Sequence, residues 1–532
     1  MRFASRVCLS SFAVALILAM CACQGLVPNS MFQIQVTSQG GGTGLVSSSP
    51  AGINCGSTCS ATFHGTTEVT LTATPNSGFT FVGWGGACSG TGDCTISSGG
   101  ESSVTATFGA SLQSINHIII MAQENRDFDH YFGKLNDYRV ANGLPADVDG
   151  LPADASNPTF DGTSTIEAYH LLTMCVENPS PSWNESHVDR NVTDPVSATA
   201  TMDGFVHTAA HAAMDNGYTD ILGKRAMGYY DASDLPFYYF MATNFATSDR
   251  WFSPVMSRTQ LNRMYMLAGT SAGHAYPLPD NSPKLTNKTI FELLDEHGIT
   301  WKNYVVSPHP DPIGGTSFNQ FSYAATHTQN IVDATEFLTD AKNGTLPAVS
   351  IIDPGYWNGL DEHPGIDEGA PGSSVQKGAA YVAGLINGLM NSPSWQDSVF
   401  ILTWDEFGGF YDHVPPQPTV SPDGIPPQDL LTDDICTVKT GPTCDFDYTG
   451  YRLPLIVMSP FAKKNYVSHT VADYTAMLKL IETRFDLPSL TARDAAQMDM
   501  TEFFDFTNAP WRVPPVPPTQ PTSGPCYFDR LP

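Results

Sequence analysis

Basic residues are scarce in this sequence, which has 25 Lys and Arg against 53 Asp and Glu and a formal net charge of −28. Non-specific binding to nucleic acid or to anionic lipid needs a basic face. The composition therefore argues against both partners and leaves small substrates, zwitterionic lipids and a locally positive metal site open. Charged residues make up only 15% of the chain and hydrophobic residues 41%, which is typical of a globular protein with a large core.

Long apolar runs are absent beyond the first residues of the chain. Arg2 and Arg6 form a basic n-region, and residues 12–20 form an apolar stretch that is too short to span a membrane. This pattern predicts a signal peptide over residues 1–23 and an exported protein, either secreted, periplasmic or lipid-anchored to the cell envelope. The run that ends at Cys23 loosely resembles a lipobox, so lipidation of Cys23 and ordinary signal cleavage both stay open.

CxxC spacings are also lacking, although eight of the 11 cysteines follow the predicted leader. The pairs Cys55/Cys59, Cys88/Cys94 and Cys436/Cys444 each close a short loop rich in turn residues. Such local pairs predict disulfides in an oxidising compartment. A zinc site built from the first four cysteines is the alternative, and their spacing disfavours it. A further cysteine, Cys526, is placed to tie down the C-terminal tail.

The segment over residues 32–109 has short alternating strands and Gly-rich turns. Phe32, Ile34 and Val36 alternate with polar residues, and the same period of two recurs three more times before residue 109. Because no helical spacing interrupts this pattern, the segment is predicted to be a small all-β module.

Three runs in this module, EVTLTATP, GFTFVGWGGACSGTGDCT and SVTATF, together resemble a divergent InlB B-type repeat. The resemblance covers nearly the whole of residues 32–109. It implies a spacer or a surface-binding appendage, so no chemistry is assigned to the module. Trp84, within the second run, is interpreted as a core residue rather than a platform for a ligand.

The periodicity changes after Gly109. Continuous apolar runs of strand length, typical of strands buried on both faces of a largely parallel sheet, occur at residues 118–121, 350–352, 399–404 and 455–458. Helical spacing of apolar residues, at i, i+3, i+4 and i+7, occurs at residues 382–389 and 474–481, and residues 289–297 are predicted to form another helix that is stopped by Gly298. Alternating strands and helices predict an α/β sandwich over residues 112–510, followed by a Pro-rich tail over residues 511–532.

Oxygen-bearing side chains follow two of these apolar runs directly. Glu124 and Asn125 come just after the first run, and Asp405 and Glu406 come just after the third. Functional groups of such sheets gather beyond the carboxyl ends of the strands. Three carboxylates brought together there would repel one another, and a divalent cation would relieve that repulsion. The alternative for each residue is a solvated loop carboxylate or a helix cap.

Two long motifs extend these observations, INHIIIMAQENRDFDHYFG from Ile115 and TWDEFGGFYDHVPP from Thr403. Together with DRWFSPVMSRTQLNRMYMLAGTSAGH and RLPLIVMSPFAKKNYVSHTVADYTAMLKLIE, they resemble the bacterial phospholipase C and acid phosphatase family, in the family's order. The resemblance covers residues 114–510. It implies an alkaline-phosphatase-like α/β/α sandwich, with the small β module preceding it, and a metal-dependent hydrolase of phosphate esters.

The family's motifs assign roles by position. Thr259 lies where the family has its hydroxyl nucleophile, in SRTQLNR rather than the usual Gly-Pro-Thr-x-Pro-Asn-Arg, and Ser257 is its rival. Metal coordination makes a threonine hydroxyl a better nucleophile, able to form a phosphoenzyme. The resemblance implies that one divalent metal ion is held by Glu124, Asn125, Thr259, Asp405 and Glu406.

The resemblance also implies functional histidines. His363 and His413 match positions expected to contact the phosphate or to protonate the leaving group, as a histidine can near neutral pH. His187 and Asn262 are expected to bind phosphate. The chain departs from the family where Pro181 replaces the histidine of an HSW motif, and where Phe407 and Gly408 replace a polar pair. These departures affect substrate identity more than reaction class.

The sequence therefore predicts an exported metal-dependent phosphoesterase, foremost a phospholipase C acting on phosphatidylcholine-type lipids. An acid phosphatase that acts on phosphomonoesters is the alternative, and an inactive surface-binding protein is an alternative of another class. Oxygen ligands favour Mg, Ca or Mn, whereas the superfamily resemblance favours Zn. Expected partners are a phospholipid or small phosphate ester, no nucleic acid, and a membrane or cell surface reached through Cys23 lipidation or the β module.

Overall fold

A computed structural model describes residues 31–97, 101–279, 281–306, 316–365 and 374–532. The predicted signal peptide and Cys23 lie outside the described residues. The chain forms two compact units, a small N-terminal one ending at Phe108 and a large one that contains residues 109–532. Among the described residues, no helix combines the length and the apolar character that crossing a membrane requires.

The N-terminal unit consists of eight strands and no helix within its described residues. Their bounds are β1 Met31–Gln39, β2 Gly44–Ser49, β3 Asn54–Cys55, β4 Ser60–His64, β5 Glu68–Pro75, β6 Thr80–Gly86, β7 Cys94–Ser97 and β8 Ser102–Gly109. They form two four-stranded sheets, in the orders β4-β1-β8-β6 and β3-β2-β5-β7. Phe32, Ile34 and Val36 of β1 are buried in the core of this unit, which confirms the period-two prediction.

Two local features of the N-terminal unit were predicted from the sequence. Disulfides join Cys55 to Cys59 and Cys88 to Cys94, so these four cysteines do not form a zinc site. Trp84 is 7% exposed, and its indole Nε1 donates a hydrogen bond to the Gly92 carbonyl oxygen at 2.6 Å. Trp84 is therefore part of the core, because its ring is buried and its one donor is satisfied.

The large unit is built around a central eight-stranded sheet in the order β17-β16-β18-β9-β19-β20-β14-β21. The strands of this unit are β9 His117–Gln123, β10 Ser156–Pro158, β11 Thr165–Glu167, β12 Tyr169–His170, β13 Gly228–Tyr229, β14 Ala246–Ser248, β15 Trp251–Phe252, β16 Trp301–Val305, β17 Ile331–Asp333, β18 Val349–Ile352, β19 Ser398–Trp404, β20 Leu455–Met458, β21 Tyr466–Ser468 and β22 Ala472–Asp473. All seven residues of β19 and all four of β18 and β20 are buried.

The described residues of the large unit contain twelve α-helices, which lie between these strands or follow the last of them. Their bounds are α1 Phe128–Phe132, α2 Leu135–Ala141, α3 Trp183–Arg190, α4 Phe205–Asn216, α5 Pro236–Asn244, α6 Thr259–Ala268, α7 Ile290–Glu296, α8 Thr335–Asn343, α9 Val375–Met390, α10 Ile435–Val438, α11 Ala476–Phe485 and α12 Ala492–Ala495. The helix predicted over residues 289–297 is α7, where the Thr289 side chain accepts a hydrogen bond from the Glu292 amide as an N-cap. The α/β class with a small N-terminal β-rich unit is confirmed.

The direction of one strand differs from the prediction. Strands β17, β16, β18, β9 and β19 are parallel, as predicted for buried apolar runs. Strand β20, however, pairs antiparallel with β19, so the sheet is mixed. A run of four buried apolar residues has the same pattern in either direction, because both faces are covered.

The C-terminal tail has no helix or strand from Trp511 onwards. It is fixed to the large unit by a disulfide between Cys175 and Cys526, which joins positions 351 residues apart. A fourth disulfide joins Cys436 to Cys444, as predicted from their spacing. The expected role of Cys526 in tying down the tail is therefore met, with Cys175 as its partner.

Candidate active site

The predicted ligands emerge side by side at the carboxyl edge of the central sheet. Strands β9 and β19 are parallel neighbours, and their last residues, Gln123 and Trp404, lie opposite each other. The residues that follow the two strands therefore leave the sheet next to one another. The backbone amide of Asn125 donates a hydrogen bond to Asp405 Oδ1 at 3.0 Å. Asn125 has a φ of 58°, a left-handed conformation that asparagine tolerates better than most residues.

Thr259 completes this group from a different element, since it is the first residue of α6. Its Oγ1 lies 3.0 Å from Glu124 Oε2 and 3.1 Å from Asn125 Oδ1. The rival hydroxyl, that of Ser257, is fully buried and donates a hydrogen bond to the Ala275 carbonyl oxygen at 2.6 Å. Of the two hydroxyls, only that of Thr259 is directed at the predicted ligands.

Arg263 lies one helical turn after Thr259 and faces the same carboxylates. Its guanidinium donates to Glu124 Oε1 through Nη2 at 2.6 Å and to Asp405 Oδ2 through Nε at 3.2 Å. The sequence motif contained this arginine, but no role was assigned to it. Its spacing of four residues from Thr259 was the available signal, because residues i and i+4 share one face of a helix.

The three carboxylates carry more negative charge than Arg263 can balance. Burial, followed by repulsion from Glu124, raises the pKa of Asp405 to about 7. Burial also raises the pKa of Glu124, and burial together with the charge of Asp405 raises that of Glu406 well above its usual value. Among the described residues, Glu406 Oε1 is buried and has no hydrogen-bond partner. A buried carboxylate oxygen without a partner, close enough to Asp405 and Glu124 for their charges to raise its pKa, fits a divalent cation, although these three described carboxylates are not among the groups whose ligand atoms all lie within 4.8 Å of one another.

A pocket of about 380 Å³ opens onto Thr259 and Asn125. His363 also lines this pocket, so one of the predicted histidines shares it with the predicted nucleophile. Most of the other lining residues carry polar groups, and the full set adds Asn178, Ser180, Pro181, Asn216, Tyr218, Arg258, Gln260 and Pro277. The pocket therefore offers a hydroxyl, an imidazole and several amides to a small polar substrate.

Residues 115–488 match the Phosphoesterase family, and residues 33–111 match the divergent InlB B-repeat domain. The first match covers more than half of the chain. The chain belongs to the Phosphoesterase family. It is a hydrolase that acts on phosphate esters, and the resemblance read from its motifs is confirmed.

Named relatives of this phosphoesterase include phospholipases. Phospholipase C B of Mycobacterium tuberculosis is 30% identical over 440 residues, which cover 75% of this chain and 79% of that protein. Non-specific phospholipase C1 of Arabidopsis thaliana is 28% identical over 413 residues, covering 74% and 72% respectively.

One solved structure resembles the phosphoesterase distantly. A protein in the alkaline phosphatase superfamily from Vibrio parahaemolyticus is 12% identical, covers 69% of this chain and 78% of its own, and has a TM-score of 0.31. A likeness at that score supports no further conclusion.

Two residues expected to bind phosphate are held by the backbone instead. His187 is fully buried, and its ring nitrogens lie 2.6 and 2.9 Å from the carbonyl oxygens of Trp183 and Thr443. The Asn262 amide donates to the Ser257 carbonyl oxygen at 2.7 Å and accepts from the Val255 amide at 3.1 Å. Neither side chain lines the pocket of Thr259.

His413 lies in a separate cluster of charged residues. Its Nδ1 is 2.6 Å from Asp129 Oδ2, and its Nε2 is 3.2 Å from Asp149 Oδ1. Burial opposes protonation, but the hydrogen bond to Asp129 raises the pKa of His413 overall. The ligand atoms of Asp129, Asp412 and His413 lie within 4.8 Å of one another, but Arg452 already pairs with both carboxylates.

A second group in the described part of the chain, His170, Asp231 and Asp234, also has its ligand atoms within 4.8 Å. His170 Nε2 lies 2.7 Å from Asp234 Oδ2, and Asp234 Oδ2 accepts a hydrogen bond from the Asp231 amide. The Asp231 carboxylate accepts hydrogen bonds from the amide and the hydroxyl of Ser233. Because none of them lines the pocket of Thr259, the group is not part of the candidate active site.

Glu362, immediately before His363, is a functional candidate that the sequence did not reveal. Its carboxylate accepts hydrogen bonds from Tyr238 at 2.6 Å, Tyr131 at 2.8 Å, Gln123 at 3.1 Å and Trp404 at 3.2 Å. Gln123 and Trp404 are the last residues of β9 and β19. One buried carboxylate therefore ties both ligand-bearing strand ends to the segment that carries His363.

Replacing Glu362 with Ala is expected to lower the free energy of unfolding by about 3–5 kcal/mol, because it leaves the buried donors of two tyrosines and a tryptophan without an acceptor. Urea unfolding would measure the change. The control is Glu362→Gln, which keeps a polar side chain of the same size and should lose less. An unfolding midpoint for Glu362→Ala equal to that of the unmodified protein would contradict the assigned role.

Proposed function

We propose that this phosphoesterase is a phospholipase C that cleaves phosphatidylcholine-type lipids with Thr259 as the nucleophile. The observation that carries the proposal is the position of the Thr259 hydroxyl, which lines the pocket and lies about 3 Å from oxygens of both Glu124 and Asn125. The substrate class is supported by the relatives, whose names are phospholipase C and non-specific phospholipase C.

In the proposed reaction, Thr259 Oγ1 forms a bond to phosphorus while the bond from phosphorus to the diacylglycerol oxygen breaks. The hydroxyl proton passes to a carboxylate of the site, and the leaving oxygen takes up a proton. Water then attacks phosphorus and gives a proton to the group that protonated the leaving oxygen, the bond to Thr259 breaks as Thr259 Oγ1 regains its proton from the carboxylate, and the phosphorylated head group leaves. Two displacements of this kind restore the enzyme and consume one water.

The protein's own groups would hold the phosphate for both displacements. Thr259 is the first residue of a ten-residue helix, so the free backbone N–H groups of its first turn favour an anion. Arg258 lines the pocket and can pair with a phosphate oxygen. We assign the protonation of the leaving oxygen to His363, because it lines the same pocket as Thr259.

The proposal includes one divalent metal ion held by Glu124, Asn125, Thr259, Asp405 and Glu406. When bound, such an ion would lower the pKa of the Thr259 hydroxyl and offset the charge of the phosphate. Its support is the excess of three buried carboxylates over one guanidinium and the unpartnered Glu406 oxygen. The ligands are all hard oxygens, which favour Mg, Ca or Mn over the Zn that the superfamily resemblance suggests.

An acid phosphatase acting on phosphomonoesters is the second candidate. A polar pocket of about 380 Å³ has room for a phosphate with a small polar group, and both a lipid head group and a small monoester fit that description. The named relatives favour the lipid, so the monoester activity is ranked second.

The distinguishing experiment assays the purified protein on phosphatidylcholine beside 4-nitrophenyl phosphate, with metal analysis of the same sample. The proposal expects faster release of phosphorylcholine than of nitrophenol and about one bound metal ion per chain. Faster turnover of the monoester would favour the phosphatase. Absence of both activities in the metal-loaded protein would favour the third possibility, a surface-binding protein without catalysis.

Export and surface attachment are part of the proposal. Four disulfides support an oxidising compartment. Lipidation at Cys23 and binding by the N-terminal β unit are two proposed routes to the cell envelope.

Removing the N-terminal unit is expected to leave turnover of a small soluble ester within about twofold, because every residue assigned to catalysis lies after Leu112. A protein starting at Leu112 keeps the central sheet and its core. Turnover of 4-nitrophenyl phosphate, with metal content matched to that of the full chain, measures the effect. Loss of this activity in a folded, metal-loaded truncation would show that the β unit contributes to the site.

A further inference from the structure

Large exposed apolar side chains lie on two segments, one of which contributes residues to the pocket of Thr259 while the other is linked to it by hydrogen bonds. We propose that Met214, Ile221, Leu222, Leu431 and Val438 form a lipid-contact rim, which seats the pocket on the surface of a zwitterionic phospholipid bilayer. The inference rests on the proposed phospholipase activity and adds a membrane-binding surface within the large unit itself. That surface is independent of Cys23 and of the N-terminal unit.

The first rim segment spans residues 214–222. Met214 is 48% exposed, Ile221 58% and Leu222 56%. Asn216 and Tyr218, which lie between these residues in the chain, line the pocket. The exposed apolar residues of this segment therefore lie within four positions, along the chain, of residues that form a wall of the pocket.

This segment is held in place by buried polar contacts. Glu177 accepts hydrogen bonds from the backbone amides of Thr219 at 2.7 Å and Asp220 at 3.1 Å. Asp220 in turn pairs with Arg225, whose guanidinium is fully buried. Ile221 and Leu222 thus stay exposed on a fixed turn, where an unconstrained loop could fold them inward.

The second rim segment contains Leu431, which is 66% exposed, and Val438, which is 68% exposed. A disulfide from Cys436 to Cys444 closes the loop that follows. Within the segment, the Asp434 carboxylate accepts a hydrogen bond from the Leu431 backbone amide. The segment therefore has a fixed shape that presents both apolar side chains outward.

Asp434 also connects this segment to the pocket. Its Oδ1 accepts hydrogen bonds from Tyr276 at 3.0 Å and from the Asn184 amide at 2.8 Å. Tyr276 precedes Pro277, and Asn184 follows Pro181 by three residues; both prolines line the pocket. The two rim segments are thus each linked to residues of the same pocket.

The chemistry around the rim selects a neutral lipid surface. Of the lysines that adjoin the two segments, Lys439 pairs with Asp194 at 3.5 Å, and Lys224 bonds the Pro532 carbonyl oxygen. Neither is left to form a basic patch, and the chain carries a net charge of −28. An anionic bilayer would be repelled, whereas apolar side chains can enter the interface of a zwitterionic one.

The binding test uses vesicles of pure phosphatidylcholine and proteins that also carry Thr259→Ala, so that the lipid is not consumed. The rim double variants Leu431→Ser with Val438→Ser, and Ile221→Ser with Leu222→Ser, should each bind at least about tenfold more weakly, because each loses two large apolar side chains. The matched control is Val513→Ser with Val516→Ser, two exposed valines, 85% and 91% exposed, on the C-terminal tail.

Binding should persist at high salt, because the contact is apolar. Equal binding by the rim variants and the control would overturn the inference. Loss of binding of the unmodified rim at high salt would also overturn it, since that outcome would indicate an electrostatic contact.

A second arm separates the rim from the active site. With Thr259 intact, the rim variants should lose about tenfold in turnover of bilayer phosphatidylcholine and keep their turnover of the same head group on short-chain, monomeric lipid. Equal losses on both lipids would assign these side chains to the pocket and contradict the rim. If the unmodified protein cleaves neither lipid, the proposed function fails, and the vesicle-binding comparison still decides the rim.

Discussion

Thr259→Ala is expected to reduce turnover of phosphate esters by about a thousandfold or more, because it removes the only protein atom proposed to bond to phosphorus. The fold should be unaffected, since the Thr259 side chain is only partly buried and contacts Glu124 and Asn125. Steady-state kinetics with metal-loaded protein measures the loss. The matched control is Thr259→Ser, which keeps a hydroxyl on the first residue of the helix and should retain much more activity than the alanine variant.

The Ser257 hydroxyl is the alternative nucleophile, and its removal tests the assignment to Thr259. Ser257→Ala should keep near-normal turnover, because Ser257 is buried and its hydroxyl bonds the Ala275 carbonyl oxygen. A large loss of activity in a stably folded Ser257→Ala variant, together with an active Thr259→Ala variant, would show that Ser257 and not Thr259 is the nucleophile.

Asp405→Ala is expected to remove both the metal ion and the activity while leaving the fold largely intact. Asp405 accepts hydrogen bonds from the amides of Asn125 and Glu406 and pairs with Arg263, so it lies at the centre of the proposed ligands. Without Asp405, the remaining proposed ligands would offer too few oxygen atoms to hold an ion. Elemental analysis after gel filtration measures the metal content, and circular dichroism checks the fold.

The control for this prediction is a carboxylate from a different group of possible ligands. Asp234→Ala removes one member of the group formed by His170, Asp231 and Asp234, which lies outside the pocket. It should keep the metal and the activity. Full metal occupancy in Asp405→Ala, or loss of the metal in Asp234→Ala, would relocate the site.

The convergence at the active site could be predicted from the sequence because it depends on local patterns. Glu124 and Asp405 each follow an apolar run of strand length, and this pattern is visible in the sequence. Parallel neighbouring strands then place their carboxyl ends at one edge of the sheet. The motif around Thr259 then supplied the third element. Each of these signals lies within a few adjacent residues.

Other features depend on contacts between distant segments, and no local pattern encodes them. The Glu362 carboxylate accepts hydrogen bonds from residues 123, 131, 238 and 404. The sequence around Glu362 contains no pattern that predicts these donors. The disulfide between Cys175 and Cys526 was equally hidden, since 351 residues separate its partners. His187 shows the converse, because its motif suggested a phosphate ligand, whereas backbone carbonyl oxygens face both ring nitrogens.

In the proposed mechanism, phosphate-ester hydrolysis passes through a covalent intermediate on Thr259. The most direct measurement mixes metal-loaded protein with phosphatidylcholine, quenches the reaction in acid during turnover and maps the modified peptide by mass spectrometry. We expect phosphorylcholine esterified to Thr259, and no adduct in the Thr259→Ala variant. An adduct on another residue, or turnover with inversion at phosphorus and no adduct, would contradict the claim.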